Sequence, residues 1–98
     1  MNDLDKEKVN LETAQIPWTD LQRFFAKGEV IWISAKLDLV EVAHEFSRDN
    51  KTQVQHWLEN KQLALVSDEQ ALQWFEDNVE LWAVVVKPWI LVQEGRAN

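Results

Sequence analysis

The sequence predicts an α+β fold in one small domain: a winged-helix-like helix pair packed on a small mixed sheet. Three observations carry this. Stretches with helical apolar spacing alternate irregularly with β-branched and aromatic stretches, in the order α-α-β-α-α-β-α-β, the last strand being single or double. The length of 98 residues suits a single domain spanning 1–98, and no repeat or linker divides it. Six tryptophans and four phenylalanines supply a core that needs no disulfide or metal, since each ring can bury about 150–250 Å².

Taken in order, the first fifteen residues read as a helix with Leu4, Leu11 and Ala14 on one side, frayed over residues 1–5. Ile16-Pro17-Trp18 breaks it, because proline disfavours helix at the residue before it. Thr19 and Gln22 have capping-box spacing for a helix over 20–26 that carries Leu21, Phe24 and Phe25, with Gly28 placed to end it. Residues 29–35 are β-branched and aromatic, apolar on both faces, and suit a strand covered on both sides. Leu39, Val42, Ala43 and Phe46 fall at i, i+3, i+4 and i+7, an amphipathic helix capped by Asp38.

After a polar break at Ser47-Arg48-Asp49-Asn50, a second helix is expected over 51–60 with Val54, Trp57 and Leu58 inward. Residues 63–66 read as a short strand. Ser67 and Gln70 form a second capping box, with Asp68 and Glu69 at the positive end of the helix dipole, for a helix over 68–77 that buries Ala71, Leu72 and Phe75. Residues 81–92 have strand composition throughout. Pro88 marks an edge, a bulge or a corner there, and a tight two-residue hairpin at Lys87-Pro88 is not expected, because primed turns want Asn or Gly. A disordered tail is expected over 95–98.

Composition removes most chemistry. There is no cysteine, so no disulfide scaffold and no thiolate metal site. The only glycines are Gly28 and Gly95, so no glycine-rich phosphate loop can form. Ten Lys and Arg against 17 Asp and Glu give a net charge of −7. The acidity is concentrated in residues 62–98, whose only cations are Lys87 and Arg96. Nucleic acid is therefore disfavoured as a partner. The start of the chain is polar, without a secretory signal, and the apolar stretch 81–92 is interrupted by Lys87 and Pro88. It is shorter than the roughly 20 residues of a spanning helix. Cytoplasmic residence and no membrane partner are the expectations.

Each candidate site in the sequence also has a plainer reading. The helix pair at 38–60 has the layout of a helix-turn-helix, in which Lys51, Gln53, Gln55 and His56 would meet bases or phosphates. Its turn lacks glycine, however, and residues 36–61 carry a net negative charge, so two packed helices are the simpler reading. Glu41-Val42-Ala43-His44 has the Glu-x-x-His spacing of di-iron bundles. It occurs once and lies opposite the apolar stripe, as a solvated polar face would. Ser34, Ser47 and Ser67 lie in no nucleophile elbow. The sequence thus predicts no catalytic residue, no metal ligand and no cofactor. Trp18, Trp32, Trp57 and Trp82 fit core positions. Trp74, which shares its turn with Phe75, and Trp89, which follows Pro88, fit less well and are the candidate partner surface.

The C-terminal Leu81-Trp82-Ala83-Val84-Val85-Val86-Lys87-Pro88-Trp89-Ile90-Leu91-Val92-Gln93-Glu94 carries a resemblance. So do Leu37 to Ala43, Asp49-Asn50-Lys51 leading to Gln55-His56-Trp57-Leu58, and Ile16-Pro17-Trp18. Together, over about residues 6–94, they resemble a family of short bacterial proteins, the domain of unknown function 2288. That resemblance implies a bacterial, cytoplasmic protein and transfers no activity, cofactor, partner or site residue. The functional expectation is a non-enzymatic protein-interaction or structural module, acting on an unknown protein partner or as a homodimer. The alternative is a helix-turn-helix-like nucleic-acid-binding regulator.

Overall fold

The computed structural model describes residues 13–95. Within them the order is β1 (Ala14–Pro17), α1 (Trp18–Ala26), β2 (Val30–Ile33), α2 (Leu39–Ser47), α3 (Lys51–Glu59), β3 (Leu63–Leu65), α4 (Asp68–Asp77), β4 (Glu80–Val86) and β5 (Trp89–Gln93). The α+β class is the predicted one: helices on a mixed sheet, ordered β1-β4-β5-β2-β3. β5 pairs antiparallel with β4 and parallel with β2, and β1 and β3 close the two edges as antiparallel neighbours of β4 and β2.

Both sheet faces are covered, as the two-sided apolar pattern of β2 requires. Val30 and Trp32 face one layer, where α1 and α4 bring Trp18, Leu21, Ala71 and Trp74 onto Leu81, Ala83, Ile90 and Val92. Ile31 and Ile33 face the other, where α2 and α3 bring Leu39, Val42, Ala43 and Trp57 onto Leu63, Val84 and Leu91. Asp38 caps α2, its carboxylate accepting from the Val40 and Glu41 amides, and Ser67 caps α4, its hydroxyl accepting from the Gln70 amide. Asp49, at φ +57°, supplies the left-handed residue that lets α3 fold back on α2 without a glycine.

Several expectations are corrected. Ala14 and Gln15 belong to β1 rather than to a helix. The rest of the expected first helix, its frayed start and the tail from residue 96 onward lie outside the described residues. α1 begins at Trp18 behind Pro17, which makes no side-chain cap, so Thr19 is inside the helix. The segment after residue 80 is two strands joined by a two-residue turn: Val86 pairs with Trp89, and the Lys87-Pro88 peptide is cis. A cis proline at the third turn position is a route to a tight reversal that needs neither Asn nor Gly. His44 is buried, not solvated, while Glu41 is exposed, so α2 is covered over more of its girth than its apolar stripe.

The aromatic pair on α4 is reversed. Trp74 is 2% exposed and Phe75 is 52% exposed. Adjacent helical residues point about 100° apart, so only one can enter the core. Trp74 enters because its ring meets Trp18 edge-on at 5.1 Å and its indole N–H donates to Glu94 at 3.3 Å. The same carboxylate accepts from the Trp32 indole at 3.4 Å. Leu72, expected inward, is exposed beside Phe75.

Gln93 is the buried polar residue of the sheet centre. Its side-chain amide donates to the carbonyls of Ser34 and Leu37, both at 2.8 Å, and so ties the end of β5 to the β2–α2 connection. Replacing it by leucine, Gln93→Leu, removes the side-chain donor from the Leu37 carbonyl and leaves the Ser34 carbonyl with the Leu37 amide. A loss of about 1–3 kcal/mol is expected, read as a lower urea midpoint with an unchanged slope. Asp38→Ala, which removes the α2 cap, is expected to cost about 0.5–2 kcal/mol by the same measurement.

Candidate functional site

A gap lies between the helix pair and the end of the sheet where the β4–β5 turn lies. Sheet register explains what is left open. Val84, Leu91, Ile31 and Leu65 stand in one row across β4, β5, β2 and β3, and Val86 and Trp89 stand in the next. Leu63 is buried in the core of this face, whereas Leu65 is 61% exposed. The result is an open groove of about 820 Å³. Its floor is Ile31, Leu63, Leu65, Val86 and Trp89, and its helical wall is Phe46, Val54 and Leu58. Leu58, expected inward, is 45% exposed because it borders this groove.

The polar side chains around the groove are few: Asp49, Asn50, Lys51 and Gln55 from the helix pair and Lys87 from the turn. Their net charge is positive in a chain whose total is −7. The apolar lining and size are those of ligand and peptide sites generally. No catalytic constellation accompanies them. Among the described residues, no group of three or more His, Asp or Glu side chains is placed to hold a metal ion.

Trp89 and Trp74, the two tryptophans singled out from sequence, are not brought together. Trp89 is half-buried and lines the groove, whereas Trp74 is enclosed on the opposite face of the sheet. Its exposure is therefore corrected, for the reason given by its ring and carboxylate partners. Lys51, Gln55 and His56 share the outer side of α3 with Thr52 and Glu59. Gln53 is half-buried elsewhere on the helix. The Gln55 amide donates to Glu59 at 3.3 Å, and the Asn60 amide nitrogen lies 3.2 Å from a His56 ring nitrogen. Two of these polar groups thus already have partners on their own helix. Leu58 and Leu65 were missed as site residues. Helical period points Leu58 inward, and the gap between α3 and the sheet makes it a groove wall.

A second, shallower depression of about 210 Å³ lies between α1 and α4, lined by Trp18, Gln22, Phe25, Ala71, Leu72 and Phe75. No helix of the described residues is long and apolar enough to cross a membrane.

Comparison with known proteins agrees with this picture. The NMR solution structure of PA1075 from Pseudomonas aeruginosa is similar at 45% sequence identity and a TM-score of 0.79, covering 89% of this chain and 80% of that one. No curated protein matches the chain. The family model described as protein of unknown function (DUF2288) matches residues 5–94. A match over nearly the full length, with a similar solved fold beside it, places the chain in the DUF2288 family.

Proposed function

We propose that this protein is a non-enzymatic interaction module that engages a partner protein through the groove beside α3. The observation that supports it is the contiguous apolar lining around Leu58, Leu65 and Trp89. Leu58 and Leu65 are more exposed than Trp89, and Trp89 has the residue type over-represented at binding hot spots. Among the described residues no group of three or more His, Asp or Glu side chains is placed to hold a metal ion, and this apolar surface is the feature that stands out. Cytoplasmic residence and bacterial origin belong to the same reading. Nucleic acid fits it poorly, because Lys51 is the sole cation on the exposed face of α3 and Asp49 and Glu59 flank it.

Two surface variants test the location. Leu65→Glu places a charge in the groove, and Leu72→Glu places one on the opposite face. Both side chains are more than half exposed, so both variants are expected to unfold within about 0.5 kcal/mol of the parent. In affinity capture with the whole chain, the expected outcome is a protein retained by the parent and by Leu72→Glu but lost by Leu65→Glu. Capture that ignores Leu65→Glu, or that fails equally with both variants, removes the reading.

A further inference from the structure

Resting on the groove reading, we infer that the partner presents an acidic amphipathic segment, with large apolar side chains flanked by Asp or Glu. Residues 62–98 contain two cations, Lys87 and Arg96, and the turn of the β4–β5 hairpin sets Lys87 at the mouth of the groove. Lys51, the first residue of α3, stands among the groove residues of the helix pair. Asp49 is the one carboxylate in the lining. The groove lining therefore carries two cations against one carboxylate on a molecule with 17 acidic residues.

This arrangement selects by repulsion as well as attraction. A basic segment would be drawn first to acidic surfaces such as α4, whose ends carry Asp68, Glu69, Glu76 and Asp77. An acidic segment is repelled from those surfaces and meets Lys51 and Lys87 where the apolar floor begins. Rim lysines of this kind act chiefly on encounter rate and salt dependence, while Leu58, Leu65 and Trp89 supply the buried contact. A second copy of the chain is a poor occupant, since two molecules of charge −7 repel at long range.

The test is a selection of random 16-residue peptides, displayed on phage, against the whole chain. The expected result is enrichment of net-acidic peptides with paired Leu, Ile, Phe or Trp, absent when Leu65→Glu is the bait. The double variant Lys51→Glu/Lys87→Glu is expected to bind a recovered acidic peptide about tenfold more weakly, from the loss of two exposed charge pairs. With that variant as bait, the enriched peptides should become neutral or basic. Basic or uncharged peptides that depend on Leu65 overturn the acidic chemistry and leave the groove reading standing. Acidic peptides whose binding survives Leu65→Glu bind elsewhere and overturn both. If no peptide is recovered, the inference fails. In that case sodium dodecanoate, followed by amide NMR shifts at Leu65 and Trp89, shows whether the groove takes a small amphiphile instead.

Discussion

The parallel pairing of β5 with β2 is the contact on which the rest of the molecule depends. Without it the sheet divides into two antiparallel units, β2 with β3 and β1 with β4 and β5, and a two-stranded ribbon such as the first is marginal in water. Joined along Val30–Ile90, Ile31–Leu91 and Trp32–Val92, they make a sheet centre from which water is excluded on both faces. Every residue from Ile90 to Gln93 is buried. Burial on two sides obliges the chain to place helices on two sides. It also obliges Gln93 to find carbonyl partners, which the turn after β2 provides.

The two faces solve the same problem differently. The α1–α4 face is closed by aromatic rings, Phe25 against Trp18 and Trp18 against Trp74, with the Glu94 carboxylate accepting from two indoles at its margin. The α2–α3 face is closed by branched aliphatic side chains and a single buried tryptophan, Trp57, and it is left incomplete near the hairpin turn. Lys51, Val54, Gln55 and Leu58 border the gap along the flank of α3. α3 has nine residues and ends at Glu59, with its capped start at Asn50. The apolar rows of the sheet continue past the area that it covers.

Local physics was readable from the sequence, and non-local physics was not. Asp38 and Ser67 announce helix starts because a cap acts over three residues. The period of α2 and the β-branched composition of β2 likewise reside in the segment itself. The exchange of Trp74 for Phe75 is decided by Trp18 and Glu94, remote in the chain, so no helical wheel could rank the two rings. The reversal at Lys87-Pro88 depends on a peptide isomer that composition does not display. Trp89 was legible as an anomaly from its place after Pro88. Its neighbours Leu58 and Leu65 were not, because both sit in apolar patterns that read as ordinary core. Their exposure arises from the gap left between the flank of α3 and the sheet.

The shortness of β3 bears on how other chains can join this sheet. β3 has three residues and forms one outer edge, while β1 has four and ends at Pro17, which has no amide hydrogen to donate. An edge of that length offers too few free backbone groups to template a long added strand, and proline at the other blunts it further. The apolar floor around Leu65 can therefore stay open to solvent beside an edge without inviting cross-β stacking. A protein that keeps a greasy surface available can do so safely only if the adjoining backbone is a poor seed for aggregation. Here three residues of β3 meet that condition.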